Sequence, residues 1–518
     1  MEQLPAVWLS HLEHAIPSEA KEKKISLYMI ALEGWRRGLT LTFLADRGED
    51  GEFQLRYSLS SAASRHYFQG SKGDKISEKA QEICDDKSKT NAVLKAANVP
   101  VPLGSTFTPH VKDESILQYA KEIGYPVVLK PTNASGGKGV VVNIQAEEEL
   151  ERALEYVRGQ LKLETVIVEQ FVQGEECRVL VLEGKVLAAV QRAPANVIGD
   201  GRSSIQQLID KKNEARKRVP HLANRPIKLD KQFYNTMHTS DWTLKTVPAK
   251  GEKIIVKRVS NISAGGDPVD VTDILSEKVK AVAVDATAAI PDLPHSGVDL
   301  MVDFEKDKAV VIEVNTRPGL GSHLFPMTGI GRDIPKALID FYFPESRDAP
   351  RAEQLFFEIK EIEAAIKTGM VEEVQVKPAR QDRFHADRIS VTSSALRQQK
   401  QKIEQYLREK KFIGKIEIKK NEALEGVIAH TDKQYLKDFF HWLEESGILA
   451  ATECYSLPLA QELSWYDDTK PSLADLYSSK QQVLQRWKEE EKKTNRVNRQ
   501  WQKVKERITK RISRKQRL

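Results

Sequence analysis

Cysteine is almost missing from this chain. Three occur, Cys84, Cys177 and Cys454, without the paired spacing of a zinc or redox motif. A disulfide scaffold is excluded, and a reducing, cytoplasmic setting is expected. Also missing is any uninterrupted apolar run of about 18 residues, so no transmembrane helix is expected. The start, MEQLPAVWLSHLEHAIPSEAKEKK, lacks a basic segment followed by an apolar one, and no secretory signal is read there. The phosphate-loop spacing G-x-x-x-x-G-K-[ST] is absent. No long repeat or low-complexity segment is evident.

What is there is ordinary in bulk and uneven in place. With 40% hydrophobic and 30% charged residues, the chain reads as globular, and its 518 residues predict roughly three domains. The net charge of +6 hides a division. Residues 480–518 hold 15 Lys/Arg against 4 Asp/Glu, which leaves the rest of the chain at a net −5. A general argument from basic charge to nucleic acid therefore fails, and the tail is judged alone.

Periodicity and turn residues give the following order. A helix running into a strand (KISLYMIALEGWRRGLTLTFL) and a strand with a turn (RYSLSSAASRHYFQGS) fill an N-terminal α/β domain over 1–84. From 85 onward come helices KTNAVLKAANV and DESILQYAKEIG, strand YPVVLKP, a Gly-rich turn, strand GVVVNI and helix EEELERALEYVRGQL. VIVEQFV and CRVLVLEGKVLAAVQRAPA read as antiparallel strands turning at Glu183–Gly184. A polar, mostly helical stretch covers about 203–250, then strands GVDLMVDF and AVVIEVN and helix DIPKALIDFYF close a domain at 345. The expected class is α+β with a substantial antiparallel sheet, not a Rossmann repeat. Residues 346–387 read as a charged, weakly helical linker. Residues 388–458 follow the order βαββαβ of a ferredoxin-like domain. It resembles an acylphosphatase-type domain, but that family's Gly-rich anion loop and catalytic Arg are not recognisable, so a structural or docking role is expected. Residues 459–518 are a linker and a basic amphipathic helix.

Four pieces point to nucleotide chemistry. Strand VVLKP ends in Lys130 and leads into TNASGGKGV; a Lys at a strand end neutralises phosphate, and Gly136, Gly137 and Gly139 let backbone N–H groups approach it. Asp299, Glu313 and Asn315 are oxygen donors on two strands, Glu313 and Asn315 two apart on one face, a set suited to Mg²⁺ shared with phosphates. The bland alternative is an ion pair with Arg317 or Lys257. VIVEQFVQGEECRVLV passes Glu169, Val172 and Glu176, which offer an adenine edge and a ribose acceptor. Asp86-Lys87 ahead of a helix adds a second cation.

In this order the pieces resemble the ATP-grasp superfamily over about 85–330, and within it the ATP-grasp segment of cyanophycin synthetases and bifunctional glutathione synthetases. The strings EGKVLAAVQRAPANVIGDGRSSIQQLI and KRVSNISAGGDPVDVTD carry the closer likeness. The resemblance implies that Lys87 and Lys130 contact nucleotide phosphates, with Ser135, Gly136, Gly137, Lys138 and Gly139 as a closing loop. It implies Glu169 and the Val172 backbone at adenine, Glu176 at ribose, and Asp299, Glu313 and Asn315 at Mg²⁺, or Mn²⁺ in its place. Arg192 and Arg317 would face an acyl-phosphate centre. The implied activity is a C–N ligase joining an amino acid or peptide carboxylate to an amine, at the expense of ATP. A kinase on the same nucleotide site and a non-catalytic ATP-binding scaffold are the alternatives. The chain lacks the Mur-ligase-like half of the first group and the γ-glutamylcysteine ligase half of the second, so the substrate does not carry over.

In the tail, Val497, Trp501, Val504, Ile508 and Ile512 recur at three and four as one apolar stripe flanked by cations. Packing on the body or on a partner protein is the first reading, an anionic membrane surface the second. Nucleic acid comes last, because no recognition module accompanies the helix. A homo-oligomer is left open.

Overall fold

The computed structural model describes residues 6–467, except 14, 18–19, 22–23, 48–52, 133, 135–138, 241, 259, 370, 394–395, 420–422 and 456–458. The described chain falls into two compact units. One takes in 1–42, 56–356 and 375–381; the other takes in 43–55, 357–374 and the residues from 382 onward.

In the first unit, Asp86 caps a helix by accepting from the Ser88 and Lys89 N–H groups, which makes Lys87 the first residue of α1 (Lys87–Ala96). Strands β1 (Gly104–Phe107), β2 (Val127–Pro131), β3 (Val141–Ile144) and β4 (Val166–Gln170) form an antiparallel sheet in the order β1-β4-β2-β3. Next come β5 (Glu175–Leu182) and β6 (Lys185–Ala193), joined through Glu183 and Gly184, both at positive φ. Helix α2 (Ile205–Arg218) and helix Lys231–His238 belong to an insertion with its own apolar core, including Val197, Ile205, Ile209 and Phe233. The stretch 203–250 is thus less helical than expected, because turns and irregular chain separate the two helices over 219–230 and replace helix beyond 238. Strand β7 (Asp267–Asp270), helix α3 (Glu277–Ala288), strands β8 (His295–Asp303) and β9 (Lys308–Asn315), and the short α4 (Gly321–Leu324) follow. The second sheet runs β7-β6-β5-β8-β9 and is antiparallel throughout. The class is α+β.

Burial alternates along this sheet and sets its two faces. Cys177, Val179 and Val181 of β5, and Val298, Leu300 and Val302 of β8, bury against Val279, Ala283 and Ala286 of α3. Each fully buried aliphatic is worth roughly 1.5–3 kcal/mol, so a one-residue slip, which would turn all of them outward, is strongly disfavoured. The opposite face is left to Glu176, Arg178, Arg192 and Asp299. One irregularity in β9 matters. Asp299 pairs with Glu313 but Leu300 pairs with Val311, so Ile312 is an extra residue, a β-bulge. Ala309 and Val311 lie in the core before it and Val314 after it. The bulge inverts the alternation and turns Glu313 and Asn315 onto the face of Asp299.

In the second unit, β10 (His385–Thr392), α5 (Leu396–Glu409), β11 (Ile413–Ile418), β12 (Ala423–His430), α6 (Lys433–Glu445) and β13 (Ala451–Cys454) follow one another. The sheet order is β13-β10-β12-β11, and β14 (Leu463–Asp467) adds a fifth strand parallel to β11. The sheet therefore extends beyond 458. Residues 346–387, expected as a linker, include helix Lys360–Lys367, with Glu363, Ala364 and Ile366 buried. Residues 480–518, and with them the apolar stripe, lie outside the described residues. No described helix is long and apolar enough to cross a membrane.

Candidate active site

On the first sheet, Val127 and Leu129 of β2 and Val166 and Val168 of β4 point into the core. Lys130 and Glu169 consequently share the other face. Lys130 Nζ lies 2.7 Å from Glu169 Oε1, both side chains nearly buried. Glu169 Oε2 is also buried and has no hydrogen-bond partner among the described residues. A buried carboxylate oxygen with nothing to accept from is suited to a ligand N–H. Strand β1 crosses this point closely, Gly104 pairing with Glu169.

On the second sheet the site face is a charge network. Arg178 and Asp299 stand opposite each other in register, with Nε to Oδ1 at 2.6 Å and Nη2 to Oδ2 at 2.7 Å. Arg192 donates to Glu176 and reaches Asp299 Oδ1 at 3.4 Å. Burial pushes the Asp299 carboxyl up, but Arg178 and Arg192 outweigh it and hold it below the usual range. Burial also pushes Glu176 up, and here Arg192 only partly offsets it. The bland alternative, an ion pair with Arg317 or Lys257, is not what the described residues show, since Asp299 pairs with Arg178 and Arg192. Lys257 pairs instead with Asp230 at 2.7 Å. Arg317 is exposed and makes no hydrogen bond or ion pair with the described residues. It does lower the Lys72 ammonium, after burial, and Ser71 Oγ donates to Pro318 O at 2.7 Å.

Lys87 spans the two sheets. Its Nζ lies 3.0 Å from Glu313 Oε1 and donates to Ala134 O at 3.3 Å, in the loop leaving β2. Asn315 Nδ2 is buried without a partner among the described residues, so the protein does not tie down that amide. Asp299, Glu313 and Asn315 offer hard oxygen donors from one face, which fits Mg²⁺. Among the described residues no group of three His, Cys, Asp or Glu is placed to hold a metal unaided.

Residues 84–321 match the family described as "ATP-grasp domain". This segment is an ATP-grasp domain. The chain is 34% identical to the cyanophycin synthetase of Trichormus variabilis over 276 residues, covering 51% of this chain and 30% of that protein. It is 31% identical to the glutathione biosynthesis bifunctional protein GshAB of Enterococcus faecalis over 274 residues, 51% of this chain and 36% of the relative. The chain thus spans about a third of the length of these relatives. The crystal structure of a bifunctional glutathione synthetase from Pasteurella multocida is similar at 28% identity and a TM-score of 0.44, covering 56% of this chain and 40% of the other.

Within the ATP-grasp domain, Ser135, Gly136, Gly137 and Lys138 lie outside the described residues. Gly139 sits at φ +74, a turn conformation that other residues resist. Val172 is half-buried beyond the end of β4. Arg178 escaped the sequence reading, although it lies two residues from Glu176 in an apolar strand and must share its face.

Proposed function

We propose that this chain is an ATP-dependent carboxylate–amine ligase. The observation that carries the reading is the gathering of Asp299, Glu313 and Asn315 with Arg178, Arg192 and Lys87 on one sheet face of an ATP-grasp domain. An oxygen-donor set ringed by cations suits a reaction that spreads negative charge over a transferring phosphoryl group. Lys130 and Lys87 neutralise nucleotide phosphates. Glu169, through its free Oε2, accepts from the adenine amino group beside the Val172 backbone, and Glu176 accepts from ribose. Asp299, Glu313 and Asn315 hold Mg²⁺, which supplies charge neutralisation at the phosphates. A substrate carboxylate takes the γ-phosphoryl group to give an acyl phosphate, and an amine then displaces phosphate. Arg192 and Arg317 face the acyl centre and stabilise its oxyanion. The loop from Ser135 to Gly139 excludes water, which would hydrolyse the intermediate.

The two relatives, a cyanophycin synthetase and a glutathione-biosynthesis protein, support an amino acid or peptide as substrate. A cytoplasmic setting is supported by cysteines that are few and free, Cys84 and Cys177 among them buried. For the second unit we propose the ferredoxin-like layout, supported by its βαββαβ order with β10 and β12 central. The deciding experiment is a phosphate-release screen of amino acids and dipeptides, singly and in pairs, in wild type and Glu313→Gln. Release that needs a pair and disappears in the variant is the expected result. No release with any pair would sink the ligase and favour a binding role.

A further inference from the structure

Helix α4 follows the metal-type strand β9 and packs against β6, which carries Arg192, and against β7. Its His323 is 1% exposed, and neither ring nitrogen has a hydrogen-bond partner among the described residues. The ring lies within electrostatic reach of Arg178, Arg192 and Asp299. Behind it stands His221, contributed by the insertion after α2. The His221 Nε2 lies 3.3 Å from Ser322 Oγ, and its buried Nδ1 has no partner among the described residues. The backbone is shaped for this contact: a Cβ on Gly321 would fall 2.7 Å from His221 Cβ. Three buried ring nitrogens without partners among the described residues, two of them on the ring beside the charge network, are unusual in a folded protein and point to a ligand.

Both rings are neutral. Burial, followed by Arg178 and Arg192, pushes His323 down to about 3, and burial, followed by Arg225 and Arg216, holds His221 well below its ordinary value. A neutral imidazole has one N–H and one free lone pair. A substrate carboxylate would be served better by the arginines. An attacking amine must arrive uncharged, and the two guanidiniums disfavour its ammonium form. Its N–H groups then need an acceptor that carries no charge of its own.

We propose that His323 is the acceptor-amine binding residue of the ligase reaction, and that His221 holds α4 so that the His323 lone pair receives an amine N–H. This deepens the ligase reading and rests on it. As the C–N bond forms, the acyl C–O bond to phosphate breaks. The phosphate leaves with the electron pair and takes the amine proton; His323 orients the nitrogen and is not consumed.

Hydroxylamine separates the two halves of such a reaction, because it traps an acyl phosphate as the hydroxamate without needing a dedicated amine subsite. The amino acid pair with the greatest phosphate release serves as donor and acceptor. His323→Leu is expected to form hydroxamate within about twofold of wild type and to lose about tenfold or more in kcat/KM for the acceptor, with part recovered in His323→Gln. Unchanged acceptor kcat/KM, or hydroxamate falling in step with amide, overturns the proposal. If His323→Leu fails to bind nucleotide, His323→Gln and His323→Asn decide. A loss of acceptor kcat/KM in either, with hydroxamate kept, upholds the role, and no loss in both removes it. A wild type that forms no hydroxamate with any carboxylate overturns the ligase reading itself, and the amine role with it.

Discussion

Arg178 and Asp299 face each other across β5 and β8, and the guanidinium holds the carboxylate with two parallel hydrogen bonds of 2.6 and 2.7 Å. Asp299 is 5% exposed, and its other cation, Arg192, is at 3.4 Å. Removing Arg178 would leave a buried charge incompletely met. Arg178→Leu should therefore cost about 3 kcal/mol of stability. Arg178→Lys keeps the charge without the fork and should fall between. Urea denaturation of the three proteins measures this, and equal midpoints for wild type and Arg178→Leu would refute it.

The bulge at Ile312 makes a second prediction. Deleting Ile312 would restore an unbroken alternation: Glu313 would follow Val311 directly, still opposite Asp299, and Val314 would stay in the core. The deletion keeps every core side chain of β9 buried, so the protein should still fold, at a cost of about 1–3 kcal/mol. Glu313→Gln leaves the bulge in place. It should fold like wild type while losing about a hundredfold or more of Mg²⁺-dependent ATP turnover. Soluble yield and circular dichroism test the deletion, and phosphate release tests the substitution. A deletion that fails to fold would refute this reading of the pairing.

Much of this face was legible in the chain itself. Asp299 and Glu313 stand out because carboxylates in apolar strands need a reason, Asn315 because it shares the face of Glu313, and Lys130 and Glu169 because each lies next to the end of an apolar strand. The ladder contact that fixes their partners was not legible. Strand parity can be read within one strand, but register between β5 and β8 depends on the whole sheet, so the ion-pair alternative for Asp299 named Arg317 or Lys257 and not Arg178. The bulge was hidden for the same reason: only the pairing of β8 with β9 reveals Ile312 as extra. His221 and His323 are lone histidines a hundred residues apart. Nothing local marks them until the insertion folds back on α4.

Gly104 gives a test of the nucleotide pocket that leaves every charge in place. A Cβ there would fall 2.5 Å from Glu169 Cβ and 2.8 Å from Val168 O. The backbone oxygen cannot swing aside, so Gly104→Ala must push β1 off β4 and shift Glu169 with it. Overpacking of this kind costs about 1–3 kcal/mol. Affinity for a non-hydrolysable ATP analogue, measured by calorimetry, should weaken about tenfold or more. Wild-type affinity would mean that Glu169 is not at the nucleotide.

The buried histidines predict how stability depends on pH. Burial pushes His295 down to about 4 and His323 to about 3, and His221 also lies well below its ordinary value. In the unfolded chain each titrates near 6.5. Between that value and the folded ones, the unfolded state binds protons that the folded state refuses, so stability must fall as pH falls. From pH 7.5 to 5.5 each histidine should remove about 1.4 kcal/mol, and all three act in the same direction. The depressed carboxylates, Asp299 among them, add their loss only below about pH 4, so the upper window belongs to the histidines. His295 Nε2 lies 3.1 Å from Tyr342 Oη, away from the charge network, which makes it the residue to change. His295→Gln should flatten the slope of urea midpoint against pH by one histidine's share while keeping the activity at pH 7.5. A slope identical to wild type would show that His295 takes up its proton in the folded chain.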